Sequence, residues 1–349
     1  MTSTLPSQAS AAGTQAIAAL LGHEVLLVTG KGGVGKSTVA QALARRAAGE
    51  GKKVLLVELE AISRAGPLLN VAHPGPHPQR AAANLDLAVM DTMDSLRYFA
   101  TKQLRIEALV NLALRNRAVE GFFGAVPAVK PILFLYHIWQ ILEEHGPRGD
   151  KKYDLLICDL PTSGFVQGMY QIPRTLQLTF RAGPVHHYAQ GMGDLLRDPK
   201  RCGLVLVTLP EEMPVVETLE LQTILKSEHG VVPAAVVVNG VFSDVLDPRD
   251  LYTLAQQVDR PVPDAQAVED ALAVERAVSA PDAQNLEDLA SWLWAAELLA
   301  GRRRRAETLL PRLTSGAPGR VLSLPFLFRR TLPLEAIDQL AATLGREVA

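Results

Sequence analysis

Cysteine is nearly absent: Cys158 and Cys202 are the only two in 349 residues. They form no C-x-x-C pair, which argues against a cysteine-built zinc site. Each lies in an apolar run, Leu155-Leu156-Ile157-Cys158 and Cys202-Gly203-Leu204-Val205. Both read as small buried hydrophobes of a reducing compartment. A strong charge of one sign is also missing. The formal net charge is −2, which argues against a general nucleic-acid binder. The one strong basic run, Arg302-Arg303-Arg304-Arg305, follows Trp292 and Trp294. It is expected to be a solvated helix C-terminus, where the macrodipole favours cations. Nor is there a long hydrophobic run. The most apolar segment, residues 131–142, contains His137 and falls short of the about 20 residues a spanning helix needs. Residues 1–22 lack a basic stretch followed by an apolar core, so they are not read as a secretory signal. They are expected to be a flexible tail. His73 and His77 sit in a proline-rich loop with no further ligands nearby and are expected to be solvated. The expectation is a soluble, cytoplasmic protein.

Hydrophobic residues make up 48% of the chain and charged residues 21%, an ordinary globular balance. The length allows one large α/β domain with insertions, or two small domains. Short apolar runs alternate with helical stretches, which predicts a mostly parallel central sheet flanked by helices. Strands are expected near 24–29, 53–58, 85–90, 154–159, 203–209, 234–239 and 320–324. Helices are expected near 37–49, 94–118, 128–145, 212–229, 249–258, 265–278, 283–303 and 333–345. The domain assignment is a single unit over 23–349. Helical insertions at about 91–150 and 259–318 are expected to pack as a layer on one side of the sheet. No internal repeat or long linker is present.

The stretch that carries chemistry is Gly30-Lys31-Gly32-Gly33-Val34-Gly35-Lys36-Ser37-Thr38. It fits the phosphate-binding pattern G-x-x-x-x-G-K-[ST]. It follows the apolar run Val25-Leu26-Leu27-Val28 and opens a helical stretch from Val39. Strand, glycine loop and helix together make an anion cradle. Glycines let backbone N–H groups turn toward phosphates, and the helix N-terminus adds partial positive charge. Lys36 is expected to reach the β/γ-phosphates, and the Ser37 hydroxyl to ligate Mg²⁺ of a bound ATP. Lys31 is an extra cation where the general pattern asks for none. It is either a solvated loop lysine or a residue that reaches a partner's nucleotide in the manner of an arginine finger.

Two further strand ends bear on this loop. Leu155-Leu156-Ile157-Cys158-Asp159 ends in an acid placed to orient Mg²⁺ and its water, and the turn after it is expected to sense the γ-phosphate. Val54-Leu55-Leu56-Val57-Glu58-Leu59-Glu60 ends in two acids on one face of the strand. Either Glu58 or Glu60 is expected to face the phosphate centre, the alternative being a solvated strand end. Asn239 ends another strand. It reads either as an adenine reader, donating and accepting at once, or as the start of an Asn-Gly turn.

With these residues in place, the chain resembles the arsenite-pump ATPase family, which includes the ATPase that targets tail-anchored membrane proteins. That family belongs to the deviant phosphate-loop group with a signature lysine, here Lys31. Asp159-Leu160-Pro161-Thr162-Ser163-Gly164 is similar to its second switch. Pro210-Glu211-Glu212-Met213-Pro214-Val215-Val216-Glu217-Thr218 is similar to a run of its bacterial members. Leu324-Pro325-Phe326-Leu327 resembles the loop that folds over adenine, which implies Pro325 and Phe326 as nucleotide contacts beside Asn239. The chain departs from the family pattern at the first switch. Glu60 falls at the position of the water-positioning Asp, and the Pro and His of that motif are gone. Phe165 replaces the usual His of the second switch, and the metalloid-binding cysteines are absent.

The resemblance implies a P-loop ATPase that binds ATP with Mg²⁺ and works as a dimer. Catalytic roles fall on Lys31, Glu60 and Asp159, and metal ligation on Ser37 and Asp159. ATP-driven closure would couple to an apolar protein or lipid client held by helices around 104–142. The alternative for those apolar residues is the packed core of the insertion. The altered first switch implies slow hydrolysis. It leaves open a hydrolysis-poor subunit in a heterodimer of paralogous ATPases instead of a homodimer. Peripheral membrane contact is compatible with this reading, whereas nucleic acid is not expected as a partner.

Overall fold

The computed structural model describes residues 11–59, 63–104, 129–145, 149–242, 286–316, 320–329 and 331–345. Its strands are β1 (Val25–Gly30), β2 (Val54–Glu58), β3 (Gln79–Ala82), β4 (Leu85–Val89), β5 (Leu155–Asp159), β6 (Cys202–Thr208), β7 (Ala235–Val241) and β8 (Arg320–Pro325). They form one sheet in the order β3-β4-β2-β5-β1-β6-β7-β8. Every strand pairing within this sheet is parallel except that of β3 with β4. The helices are α1 (Ala11–Leu21), α2 (Lys36–Gly49), α3 (Ala65–Leu68), α4 (Thr92–Leu104), α5 (Val129–Glu143), α6 (Ser163–Thr179), α7 (Pro184–Arg197), α8 (Glu212–His229), α9 (Leu286–Gly316) and α10 (Leu334–Thr343). This is the doubly covered, mostly parallel sheet expected from the alternation of elements.

The central strands are apolar along their whole length because both faces of the sheet are covered. Val25 and Leu27 of β1 point into one core with Leu156 and Cys158 of β5. Leu26 and Val28 point into the other with Leu155 and Ile157. The first core is capped by α5, α6, α7, α8 and α9 through residues such as Phe134, Met169, Leu195, Leu225 and Leu313. The second is capped by α1, α2 and α10 through Ile17, Leu43 and Ile337. Both cysteines are buried and free. Burial pushes the Cys202 thiol up to about 12 and Cys158 well above the usual thiol range, as their apolar contexts predict.

The structure departs from the sequence reading in four places. The expected tail over 1–22 contains α1, whose Ile17, Leu20 and Leu21 are buried. An alanine-rich stretch with apolar residues three and four apart docks rather than floats. Helices α6 and α7 were not expected, since Gly164, Gly168, Pro173, Gly191 and Gly193 weaken the helical signal there. The short edge strand β3 was also unexpected. Finally, Arg302–Arg305 lie inside α9, which continues to Gly316 because Ala306, Leu309 and Leu313 bury one face beyond them. Arg303 there donates to the Phe242 carbonyl at 2.9 Å, and the Arg302 guanidinium lies 5.4 Å from the Phe242 ring. His73 and His77 are exposed, as expected. The helices expected at 249–258 and 265–278 lie outside the described residues, as do residues 105–128. No described helix is long and apolar enough to cross a membrane.

One buried group gives the fold a pH dependence. His137 is 3% exposed and stacks on Tyr98 at 3.8 Å, and its Nδ1 has no hydrogen-bond partner. Burial, aided by His77 and Lys102, pushes its pKa from 6.5 down to about 4. Between these values the unfolded chain holds the extra proton and the native state does not, so stability falls as pH falls through this window. At about 1.4 kcal/mol per pH unit the loss by pH 4 is on the order of 3 kcal/mol. His137→Phe should remove this component, flattening the fall of the urea midpoint between pH 6.5 and 4. An unchanged slope in the variant would assign the effect to another group.

Candidate functional site

Parallel register gathers the site at the carboxyl ends of the strands. Asp159 of β5 pairs with Val28 of β1 on one side and with Glu58 of β2 on the other. Gly30, the last residue of β1, pairs with Val207 of β6. A Cβ on Gly30 would lie 2.2 Å from the Val207 carbonyl oxygen, so only glycine lets the chain leave the sheet here. Gly35 has φ 87°, and a Cβ there would lie 2.2 Å from Asn239 Nδ2. The loop then enters α2 at Lys36. Helix-opening N–H groups have no intrahelical carbonyl and carry the positive end of the dipole.

The loop borders a cleft of about 470 Å³, lined by Gly32, Gly33, Gly35, Lys36, Ser37 and Thr38. Asp159, Pro161 and Thr162 line it after β5, Arg64 and Leu68 after β2, Gln41 from α2, and Leu332 and Ile337 from the C-terminal segment. The volume falls within the roughly 300–1,000 Å³ range of small-molecule sites. Ser37 and Asp159 bring a hydroxyl and a carboxylate to one cleft, hard oxygen donors of the kind Mg²⁺ takes together with waters and phosphate oxygens. The glycine turns and Lys36 suit a polyphosphate. Lys36 Nζ donates to the Lys31 carbonyl at 3.0 Å, which holds its ammonium against the loop.

Other expected site residues stand elsewhere. Val34 is buried, and its carbonyl accepts from Asn239 Nδ2 at 3.0 Å. Asn239, expected to read adenine, here braces the phosphate loop from β7. Pro325 pairs with Val241 at the end of β8. Phe326 is 38% exposed and stacks on Phe242 with ring centroids 4.7 Å apart. These three residues meet beside Gly240 at the ends of β7 and β8, next to the loop but not in the cleft lining. Glu60 lies outside the described residues.

Glu58 has a structural role. It is 3% exposed. Its Oε1 accepts from the Arg64 and Ala65 backbone N–H groups at 3.1 and 2.9 Å, and its Oε2 accepts from the Ser63 hydroxyl. The carboxylate thereby holds the N-terminal end of α3 and the turn that carries Arg64 into the cleft. Lys31 does not line the cleft either. Its Nζ pairs with Glu217 Oε1 at 2.5 Å, across to α8. Arg64 and Glu217 were both missed as site residues. Arg64 follows the diverged first switch, and Glu217 sits within the Pro210–Thr218 run that carries the bacterial resemblance, so that run was the available signal.

A model of the anion-transporting ATPase family matches residues 23–186. The chain is 30% identical over 245 residues to ATPase BagA of Mycobacterium tuberculosis, covering 68% of this chain and 71% of that protein. The chain belongs to the anion-transporting ATPase family. Arsenical pump-driving ATPases are more distant relatives within it. That of Escherichia coli is 26% identical over 231 residues, covering 63% of this chain and 35% of its own length. That of Acidiphilium multivorum is 25% identical over 248 residues, covering 70% and 39%. Membership agrees with the cleft geometry and gives the chain its ATPase class. Among the described residues no group of three or more His, Cys, Asp or Glu could hold a metal ion.

The bonding of Glu58 yields a test. Glu58→Ala leaves two backbone donors and one hydroxyl without their acceptor and should cost about 1–3 kcal/mol of stability. The nucleotide cradle itself should survive. Chemical denaturation combined with equilibrium ATP binding checks both. Unchanged stability with lost turnover would instead make Glu58 the water-positioning group.

Proposed function

We propose that this chain is an ATP-driven dimeric switch that hydrolyses ATP slowly and couples closure to an apolar protein or lipid client. The observation that carries the reading is the convergence of the phosphate loop, Lys36, Ser37, Asp159 and Arg64 on one cleft. Lys36 would balance charge on the β/γ-phosphates and Ser37 and Asp159 would hold Mg²⁺, which supplies charge neutralisation at phosphate oxygens when bound. Arg64 adds a second cation on the side of the first switch, suited to charge that develops on a departing phosphoryl group. Asp159 is placed to orient water. A base extending from the loop toward the ends of β7 and β8 would meet Asn239 and Phe326.

Lys31 supports the dimeric part. It is held by Glu217 beside its own loop, and the pair is partly exposed, with side chains 39% and 40% accessible. Exposed ion pairs are weak, so Lys31 can leave Glu217 for a phosphate across an interface at small cost. The diverged first switch supports slow turnover. Glu58 is bonded to backbone, which leaves Glu60 as the candidate carboxylate. It is one methylene longer than the family's Asp, and a misplacement of about 1 Å can cost on the order of 10²-fold in rate. The same divergence favours a second reading, in which a more active paralogous subunit completes a heterodimer and this chain mainly binds ATP.

Lys36→Ala should abolish measurable ATP binding, and equal affinity in the variant would remove the site assignment. Lys31→Ala should keep ATP binding but lose nucleotide-dependent dimerisation or turnover, read by native mass spectrometry and phosphate release. Survival of both would refute the role across the interface. Co-expression with a neighbouring paralogue separates the two readings, since homodimers with full turnover leave no work for a second subunit.

A further inference from the structure

Helices α6 and α7 form a hairpin rooted in the core. Gln177 Nε2 of α6 donates to the Ala189 carbonyl of α7 at 2.9 Å. His186 Nδ1 closes the turn on the Phe180 carbonyl at 2.8 Å. The inner faces are buried through Val166, Met169, Tyr170 and Pro173 on α6 and Ala189, Met192, Leu195 and Leu196 on α7. The tip is different. Leu178 is 71% exposed, Phe180 45% and Val185 38%. Such residues, clustered within eight positions at the end of a rigid hairpin, are more than the scattered apolar exposure common on surfaces.

The charge of the hairpin's own sequence is one-sided. Acids make up 37 of 349 residues, yet none falls between Asp159 and Asp194, the longest acid-free stretch in the chain. Arg181, at the turn, is exposed, as is Arg174, which shares a cleft with Glu228 of α8. Apolar side chains on a turn between two helices, in a stretch whose own sequence carries arginine and no carboxylate, match an anionic lipid surface. Leucine and phenylalanine enter the acyl boundary while arginine meets the headgroups. A protein partner that lays a helix on its receptor needs a groove, and this tip is a turn.

We propose that the α6–α7 tip docks this protein peripherally on anionic membrane, with Leu178, Phe180 and Val185 as the inserting residues and Arg181 as a headgroup contact. This surface is separate from the ATP cleft, and the test does not depend on the nucleotide reading. Purified full-length protein without nucleotide is sedimented with phosphatidylglycerol–phosphatidylcholine vesicles and, in parallel, with pure phosphatidylcholine vesicles. Binding is expected to the anionic vesicles and to weaken as salt rises. Leu178→Ser with Phe180→Ser should reduce it at least about tenfold, the loss expected when two apolar anchors are removed. Arg181→Glu should lose most of the preference for anionic over neutral vesicles. Both variants should keep wild-type ATP turnover and thermal stability, since neither residue belongs to the cleft. Failure of the wild type to sediment with anionic vesicles overturns the proposal, as does a double variant that sediments equally well. Binding of a soluble apolar leucine–alanine helix, dependent on Leu178 and Phe180 and without vesicle binding, would assign the tip to protein and overturn it too.

Discussion

Everything at the cleft depends on how closely β1 approaches β6 where the chain leaves the sheet. Gly30 has room for a hydrogen and nothing more, with the Val207 carbonyl 2.2 Å from where a Cβ would stand. That approach turns the loop back over the strand ends, and Gly35 completes the turn against Asn239. Parallel pairing then supplies the rest. A parallel sheet puts the carboxyl ends of β1, β2 and β5 in one row, so a loop after β1 faces the residues that end β2 and β5. Asp159 reaches the cleft because its strand is register-matched to β1 through Val28. The acid, Asp159, lies more than a hundred residues from the adjacent Lys36 and Ser37, and the two segments meet through backbone geometry.

The same row explains why neighbouring acids have different fates. Glu58 and Asp159 are paired in register across β2 and β5, yet only Asp159 lines the cleft. Each is the last residue of its strand, so the turn that follows decides between them. The Glu58 carboxylate meets the backbone N–H groups of the following turn before it can meet a ligand. A carboxylate that satisfies two backbone donors and a hydroxyl is committed, because withdrawing it would leave buried donors unpaired. The consequence passes to Arg64, whose place in the cleft rests on that turn. Divergence at the first switch thus changes more than one group: Glu60 stands for the family's Asp, and the turn after it holds a cation at the same edge.

Strands and the phosphate loop were legible from the chain because their signals are local. Val25–Gly30 is apolar, the glycines have fixed spacing, and a helix follows. Asp159's place in the cleft was legible because a strand-end acid, elsewhere often a mere turn former, gains a second meaning after such a loop. Helices α6 and α7 were not, since Gly164, Gly168, Pro173, Gly191 and Gly193 carry poor helix propensity and tertiary packing overrides it. The choice between Glu58 and Glu60 was not legible either. Alternation places them on one face, and only the hydrogen bonds to residues 63–65 show what Glu58 is for. Lys31 was recognised by position, but its partner Glu217 lies 186 residues away in a run noted for resemblance alone.

The cleft also shows why this ATPase unit cannot be reduced to its first half. Leu332 and Ile337 line it from the C-terminal segment. Arg45 of α2 holds Asp338 of α10 through two hydrogen bonds, at 2.6 and 2.9 Å. The two-pronged geometry fixes orientation as well as distance. Helix α2 begins at the phosphate loop, so α10 is fastened to the element whose N-terminus would carry the phosphates. A shift of α2 on nucleotide binding would therefore be transmitted to α10, and from there to β8, against which α10 packs. Because β8 ends at Pro325, the phosphate loop and the far end of β8 are tied through one helix.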